Sequence, residues 1–342
     1  MRAVQIVELG QPLQLREVPL PEPGPEEIRV KIEAAGICHS DAHYRAGTAS
    51  VAYRPITPGH EIAGQVEKLG PGVTELKSGN RVALHYLWTC GRCDYCRSGL
   101  EQFCRSGKML GKHVDGGYAE YIVVPARNAV PIADNVSTAA AAIMMCSSST
   151  AFHSLRQARI APGDTVAVFG AGGLGMSAVQ LARICGAAEI YAVDTDKAKL
   201  AAAEKYGARP IDATRGAADG QLRKATQGRG VDVALEFAGL PITQQQAVAA
   251  LAVHGRAALA GITKQSFAVD SYGSLINHEA QIIGVSDHLR SELVTLMEFA
   301  HQGLLDLESV IADRLALDAG EINRRLDALA DFHGYTRSVI TP

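Results

Sequence analysis

The 342-residue sequence has no apolar run long enough to span a bilayer, and MRAVQIVELG, its first ten residues, contains no apolar signal core with a cleavage site behind it. It also has no large excess of charge of either sign. A net charge of −3 provides no basic field that would attract nucleic acid or an anionic membrane. From these absences we expect a cytoplasmic protein with no nucleic-acid or membrane partner.

Internal repeats and low-complexity segments are also missing, and the composition is that of a compact globular protein, with 47% hydrophobic and 20% charged residues. The length is enough for two domains of about 100–200 residues each. Residues 1–147 are predicted to be β-rich. Short apolar or alternating runs such as EIRVKIEAAG, EIAGQVEKLG and YAEYIVVP are separated there by Pro/Gly turns.

The pattern changes at TVAVFGAGGLG (165–175), where strand-like runs begin to alternate with helical stretches. VDVALEFAG, for example, leads into ITQQQAVAALAV, read as helix to residue 253. Such alternation indicates a parallel sheet with crossover helices. The prediction is therefore an α/β chain, in which residues 1–147 and 287–342 form a β-rich domain and residues 148–286 form a doubly wound parallel-sheet domain.

A glycine-rich turn, GAGGLG, follows the first of these strands and matches the pattern GxGxxG at Gly170, Gly172 and Gly175. A helix is predicted to open near Gly173–Leu174, and Asp194 ends the next strand, 24 residues after Gly170. This context is typical of a dinucleotide site, where glycines let the backbone approach a pyrophosphate at a helix N-terminus. Asp194 would accept hydrogen bonds from ribose hydroxyls and repel a 2′-phosphate, which favours NAD over NADP. A tight turn without a ligand is the alternative.

Four of the seven cysteines lie in the stretch TCGRCDYCRSGLEQFC (89–104), with the spacing C-x2-C-x2-C-x7-C: Cys90, Cys93, Cys96 and Cys104. Four thiolates in one loop complete a tetrahedral shell around Zn²⁺ and leave no position for substrate, so we predict a structural zinc site. A thioredoxin-type motif needs only two cysteines, and a DNA-reading finger would need histidines or a basic helix. An iron–sulfur cluster remains as an alternative.

The remaining cysteines are dispersed. Cys185 is expected to be a core residue of a helix. Cys38 and Cys146 lie more than a hundred residues apart, with His60 between them in TPGHEIAGQV. Two cysteines and a histidine form a known three-ligand set for catalytic zinc, with the fourth position left for water or substrate. Spacing alone does not establish that the three converge.

Taken together, these motifs resemble those of the zinc-dependent alcohol dehydrogenases of the medium-chain dehydrogenase/reductase superfamily. The likeness covers the whole chain and rests on the glycine-rich turn, the four-cysteine loop and four further stretches: GICHSDAH (36–43), PGHEIAG (58–64), MCSSSTAF (145–152) and VDTDKAK (193–199). It implies a GroES-like catalytic domain, a Rossmann coenzyme domain, and a structural zinc lobe at about residues 88–107.

The resemblance also implies two zinc ions per chain and NAD as coenzyme. A catalytic zinc would be held by Cys38, His60 and Cys146, with Glu61 close enough to coordinate in some states. Zinc would lower the pKa of a bound alcohol, which then exists as alkoxide and passes hydride to NAD⁺. Ser40 would hydrogen-bond the alcohol oxygen, and His43 would exchange the proton with solvent.

Further coenzyme contacts follow from the resemblance alone. His39 and Arg337 would lie near the pyrophosphate, Thr150 against the nicotinamide and Lys199 near the adenosine ribose. Asp41 could orient the ring of His60; a solvent-facing aspartate is the alternative.

The substrate class and the oligomeric state are predicted from two differences between this sequence and some members of the family. Ethanol-preferring relatives carry tryptophan where this chain has Ala49, which suggests medium-length, aromatic or secondary alcohols as substrates. The segment between Cys104 and Cys146 is short, which points to a homotetramer, with a homodimer as the alternative.

Rival functions remain. A zinc polyol or amino-alcohol dehydrogenase usually has glutamate as the third zinc ligand, where this chain has Cys146. A zinc-free quinone or enoyl reductase of the superfamily would lack Cys38, His60 and the four-cysteine loop. A non-catalytic NAD-binding or zinc-binding protein that kept the fold would have a broken proton relay or lack a zinc ligand, whereas every expected ligand is present in this sequence.

Overall fold

The computed structural model describes residues 1–330 and 337–342. The chain forms two compact units, Met1–Cys146 with Leu289–Pro342, and Ser147–His288. A largely antiparallel sheet organises the first unit and a parallel sheet with crossover helices organises the second. This arrangement confirms the predicted α/β fold class.

The first unit starts with short strands and helices. Its strands are β1 (Arg2–Gln5), β2 (Gln14–Glu17), β3 (Glu27–Gly36), β4 (Glu61–Leu69), β5 (Arg81–Leu84), β6 (Leu87–Trp88), β7 (Lys108–Met109), β8 (Tyr121–Pro125) and β9 (Ala129–Pro131). Its helices are α1 (His39–Ala46), α2 (Asp94–Arg97) and α3 (Thr138–Ile143). β3 pairs with both β4 and β8, and its apolar side chains enter the core, with Ile28, Val30 and Ile32 at most 2% exposed.

The second unit alternates helices and strands. Its helices are α4 (Ser149–Gln157), α5 (Gly173–Ile184), α6 (Lys197–Lys205), α7 (Ala218–Ala225) and α8 (Pro241–Ala249). Its strands are β10 (Thr165–Phe169), β11 (Glu189–Asp194), β12 (Arg209–Asp212), β13 (Val231–Glu236), β14 (Leu251–Leu259) and β15 (Gln281–Gly284). They form a parallel sheet in the order β12-β11-β10-β13-β14-β15. The central β10 is buried along its whole length, which explains its unbroken apolar sequence.

The chain then returns to the first unit through α9 (Arg290–His301), β16 (Asp313–Ala316), α10 (Ala319–Ala330) and β17 (Ser338–Thr341). β17 pairs with β3, with Val339 opposite Gly36, and β16 lies outside it. The C-terminal return thereby completes the sheet of the first unit.

One boundary differs from the sequence prediction. The helical pattern was read to residue 253, but α8 ends at Ala249 and β14 begins at Leu251. Leu251 pairs with Val231 of β13, and its side chain is 1% exposed. Burial in the sheet therefore overrides the local helical pattern, as tertiary contacts commonly do.

Candidate metal and coenzyme sites

The antiparallel pairing of β3 with β4 brings two of the predicted ligands together. Gly36, the last residue of β3, lies opposite Glu61, the first residue of β4. Cys38 follows β3 at the start of α1, and His60 directly precedes β4. Both side chains are buried, at 6% and 0% exposure.

Cys146 reaches the same place from a π-helical turn, Met144–Ser148, that follows α3. Its Sγ lies 4.0 Å from Cys38 Sγ. One ligand atom from each of Cys38, His60, Glu61 and Cys146 lies within 4.8 Å of the others, and all four residues are buried. The three distant segments noted in the sequence therefore converge.

The donor set of this cluster, called the buried cluster below, fits a zinc ion. Two Zn–S bonds of ~2.3 Å at a tetrahedral angle would place their sulfurs about 3.8 Å apart, close to the observed 4.0 Å. Neither ring nitrogen of His60 makes a hydrogen bond to any described residue. Nδ1 faces Asp41 Oδ1 at 3.4 Å, which leaves Nε2 for a metal.

The electrostatics of the buried cluster favour a cation. A hydrogen bond from Cys146, opposed by burial, and the charges of His60 and Arg337 hold the pKa of Cys38 well below its usual value. Burial by itself would lower the pKa of His60, but the negative charges of Asp41 and Cys38 outweigh it and raise that pKa to about 10. Surroundings that stabilise positive charge on an imidazole would also stabilise a divalent metal ion.

Glu61 forms a buried ion pair with Arg337, whose side chain is 5% exposed. Gly36 makes room for it, because a Cβ there would lie 2.0 Å from Glu61 Oε2 and 3.1 Å from Arg337 Nη2. Sequence reasoning did not foresee this pair. The predicted contact between Arg337 and the coenzyme pyrophosphate stays a prediction.

The predicted relay residues lie on α1. Ser40 Oγ is 3.8 Å from Cys38 Sγ, so its hydroxyl borders the buried cluster. His43 Nδ1 is 3.1 Å from Thr48 Oγ1, and the rings of His39 and His43 are 4.8 Å apart. Both histidines are only partly buried, as a proton exit requires.

The four-cysteine loop folds into a second thiol cluster, called the cysteine lobe below: Cys90, Cys93, Cys96 and Cys104. Its sulfurs are 3.5–4.0 Å apart in the pairs Cys93–Cys96, Cys90–Cys96 and Cys93–Cys104. Strands β6 and β7, which flank this lobe in the sequence, pair with each other. The described cysteines form no disulfide, and the sulfur spacing matches the shell expected around zinc.

Backbone N–H groups stabilise the thiolate form of one cysteine in the cysteine lobe. Those of Arg92 and Cys93 donate to Cys90 Sγ at 3.5 Å and 3.3 Å and lower the pKa of Cys90 to about 6. Burial and the neighbouring thiols instead raise the pKa of Cys96 to about 12. A bound cation would favour the thiolate form of these cysteines and offset the repulsion between neighbouring thiolates.

The glycine-rich turn of the second unit joins β10 to α5, which begins at Gly173 as predicted. Gly170 has φ +92°, and a Cβ at Gly175 would lie 2.0 Å from the Gly170 carbonyl oxygen. Around Gly172 the space is open. Glycine is therefore required for the turn at two of the three motif positions and leaves room for a ligand at the third.

Asp194 lies at the end of β11, beside this turn. Its carboxylate accepts hydrogen bonds from the backbone N–H of Ala171 at 2.8 Å and of Asp196 at 2.9 Å. Lys199 is partly buried on α6, and Thr150 is partly buried on α4. Their coenzyme contacts, like that of His39, stay predictions.

Comparison with known proteins agrees with this geometry. Residues 24–134 match the family model of the alcohol dehydrogenase GroES-like domain, and residues 173–302 match that of the zinc-binding dehydrogenases. The NAD-dependent alcohol dehydrogenase of Sulfurisphaera tokodaii is 34% identical, with 100% of each chain covered. This chain belongs to the zinc-dependent alcohol dehydrogenases. It is therefore an enzyme, an alcohol dehydrogenase of the medium-chain dehydrogenase/reductase superfamily.

Two further comparisons place it within this superfamily. The crystal structure of the alcohol dehydrogenase of Aeropyrum pernix superposes with a TM-score of 0.91 at 30% identity and covers 100% of both chains. The sorbitol dehydrogenase of Bacillus subtilis is 32% identical over 90% of this chain and 88% of that protein. Among the described helices of this alcohol dehydrogenase, none combines the length and the hydropathy needed to cross a bilayer.

Two tyrosines lie near the predicted metal ligands, and sequence reasoning missed the second of them, Tyr118. The ring of Tyr86 meets the ring of His60 edge-on at 5.1 Å. The hydroxyl of Tyr118 donates to Asp41 Oδ2 at 2.9 Å. The stretch YAEYIVVP was predicted only as a strand, and nothing in it marks the Tyr118 phenol as a hydrogen-bond donor.

Alanine in place of Asp194 is expected to lower kcat/KM for NAD⁺ by about 10- to 100-fold, because hydrogen bonds to a charged group contribute roughly 1.5–3 kcal/mol. Removal of the negative charge should at the same time raise kcat/KM for NADP⁺. Initial rates with each coenzyme at saturating alcohol measure both changes. An unchanged ratio of the two specificity constants would mean that Asp194 does not contact the ribose.

Proposed function

We propose that this alcohol dehydrogenase catalyses the reversible, NAD-linked oxidation of alcohols at the buried cluster. The observation that carries the proposal is the convergence of Cys38, His60 and Cys146, three buried residues from separate segments whose ligand atoms lie within 4.8 Å. Cys146 also favours this function over that of polyol or amino-alcohol dehydrogenases, in which glutamate usually takes its place. The same proposal assigns the cysteine lobe a structural zinc and no part in the chemistry.

Three side chains would hold the catalytic zinc: Cys38 and Cys146 through Sγ, and His60 through Nε2. While Glu61 is paired with Arg337, the fourth position would be open to the substrate oxygen, and Glu61 would be close enough to coordinate in other states. When bound, zinc supplies the Lewis acidity that lowers the pKa of an alcohol, and NAD⁺ supplies the hydride acceptor. All four residues of the cluster are buried, which would limit the access of water to the metal.

The proton lost by the alcohol would leave through α1. Ser40 Oγ lies beside Cys38 Sγ and would hydrogen-bond the alcohol oxygen. His43 would pass the proton to solvent, since Thr48 Oγ1 engages Nδ1 and leaves Nε2 for exchange. Both groups lie on one short helix whose start is held by Asp41, because the Asp41 carboxylate accepts the Cys38 N–H at 3.0 Å.

The substrate class is proposed from Ala49, where a small side chain leaves more space than the tryptophan of ethanol-preferring relatives. We expect kcat/KM for benzyl alcohol and for 2-butanol to exceed that for ethanol by at least about tenfold, since each additional buried methylene contributes ~0.8 kcal/mol. Steady-state rates of NADH formation with the three alcohols provide the comparison. A higher specificity constant for ethanol would contradict this substrate class.

Zinc content tests the two-site assignment directly. The purified holoenzyme should contain two zinc ions per chain by elemental analysis and should reduce NAD⁺ with benzyl alcohol. One zinc per chain, or iron with a visible absorption band, would contradict the assignment of at least one cluster.

A homotetramer in the cytoplasm completes the proposal. The short segment between Cys104 and Cys146 supports it by resemblance to tetrameric members of the family. Sedimentation velocity at micromolar concentration distinguishes the tetramer from the dimer.

A further inference from the structure

A buried phenol, that of Tyr118, is connected to the ring of His60 through the carboxylate of Asp41. Tyr118 is 0% exposed and Asp41 is 1% exposed. The Tyr118 hydroxyl donates to Asp41 Oδ2 at 2.9 Å, and Asp41 Oδ1 faces His60 Nδ1 at 3.4 Å. The three side chains therefore form a continuous chain of polar contacts that ends on the imidazole.

The position of Tyr118 is fixed relative to the segment that carries His60. Backbone N–H groups of residues 116–118 donate to carbonyls of residues 57–59: Gly116 to Thr57 at 2.7 Å, Gly117 to Gly59 at 2.8 Å and Tyr118 to Pro58 at 3.0 Å. The Tyr118 ring packs directly on Gly59, where a Cβ would lie 2.4 Å from ring atom Cδ1. The phenol therefore cannot shift without moving the backbone next to His60.

Each oxygen of Asp41 has two partners. Oδ2 accepts from the Tyr118 hydroxyl and from the Cys38 N–H at 3.0 Å, whereas Oδ1 accepts from the Gly59 N–H at 3.2 Å and faces His60. Without the phenol, Oδ2 keeps a single donor, and rotation of the carboxylate is less restricted. Such rotation would move Oδ1 away from His60 Nδ1.

We propose that Tyr118 is a positioning residue that acts through Asp41 to hold the His60 ring with Nε2 directed at the metal. The inference rests on the proposed function, because it takes His60 as a metal ligand. Burial and the neighbouring Asp41 charge raise the pKa of Tyr118, so the hydroxyl keeps the proton that it donates. Partners of this kind behind a metal-binding histidine commonly change metal affinity or activity by 10- to 100-fold.

Phenylalanine at position 118 separates this role from simple packing. Tyr118→Phe keeps the ring against Gly59 and removes only the hydroxyl. Tyr121→Phe, three residues further along the chain, is the matched control, because the Tyr121 hydroxyl makes no hydrogen bond to any residue that the structure describes. Holoenzyme of each variant is incubated with a chromophoric chelator while zinc release and residual activity are followed together, and circular dichroism checks the fold.

In wild type we expect one phase of zinc release to parallel the loss of activity. Tyr118→Phe should accelerate that phase about tenfold and lower kcat for benzyl alcohol. The rate of the second phase of zinc release, assigned to the cysteine lobe, and the KM for NAD⁺ should stay within twofold of wild type. Tyr121→Phe should match wild type throughout. If Tyr118→Phe also releases zinc at the wild-type rate with an unchanged kcat, the hydroxyl only fills space and the proposal is wrong.

The path through Asp41 is tested by adding Asp41→Ala. If Tyr118 acts through this carboxylate, Tyr118→Phe should change the release rate by less than twofold in the Asp41→Ala background; a further tenfold change would contradict that path. If the wild-type enzyme loses activity without releasing zinc, the proposed function itself is wrong. If wild type and Tyr118→Phe behave alike, only the role of Tyr118 is wrong.

Discussion

Serine in place of Cys146 is expected to lower kcat for alcohol oxidation by at least about 10³-fold while the protein stays folded. Cys146 Sγ is one of two sulfurs 4.0 Å apart in the buried cluster. A serine hydroxyl is not ionised at neutral pH and is a poor ligand for zinc. The Lewis acid contributes several kcal/mol of transition-state stabilisation, and about 4 kcal/mol corresponds to a 10³-fold change in rate. The measurements are kcat with benzyl alcohol and NAD⁺, zinc per chain, and circular dichroism.

The structural cost of this substitution should be small. Serine is close to cysteine in size, and an unpartnered buried hydroxyl costs about 1–3 kcal/mol, which lowers stability without unfolding the domain. Cys185→Ser is the matched control, because Cys185 belongs to neither thiol cluster. It should keep two zinc ions and activity within twofold of wild type. An active Cys146→Ser enzyme would show that the third ligand is misassigned and would favour the polyol-type function.

Short-range signals account for the parts of the molecule that the sequence predicted well. The run EIRVKIEAAG coincides with β3, and EIAGQVEKLG contains β4, because a buried antiparallel strand needs regularly placed apolar residues. The glycine-rich turn was predicted equally well, since the Gly170 backbone and the close approach at Gly175 admit no side chain. The cysteine lobe was recognised because all its sulfurs lie within one loop.

The features that the sequence did not predict depend on pairing between residues far apart in the chain. Cys38 and His60 meet because Gly36 pairs with Glu61 across β3 and β4, and no local pattern specifies that register. The Glu61–Arg337 pair joins residues that are far apart in the sequence, so only the completed sheet reveals it. The Tyr118 hydroxyl escaped notice for the same reason, because its acceptor, Asp41, is 77 residues away.

Serine in place of Cys93 is expected to open the cysteine lobe and leave the buried cluster in place. The lobe has little core of its own, since Tyr95, Leu100 and Phe103 are 39%, 41% and 48% exposed. If the lobe binds zinc as proposed, its order should come mainly from that ion, because binding of structural zinc contributes roughly 10–16 kcal/mol in small zinc-finger peptides. Loss of even ~3 kcal/mol would increase the open population about 100-fold. Limited proteolysis mapped to residues 89–107 measures that population.

The two cysteine substitutions should then fail in opposite ways. Cys93→Ser should be cleaved about 100-fold faster within the lobe and contain one zinc, while kcat before cleavage falls by less than tenfold. Cys146→Ser should also contain one zinc but resist cleavage and lack activity. The ion pair of Asp94 with Arg105 cannot replace the metal, because both side chains are exposed and water screens their attraction. Equal cleavage rates in Cys93→Ser and Cys185→Ser would mean that the lobe is ordered without zinc. The structural role assigned to the zinc of the cysteine lobe would then be wrong.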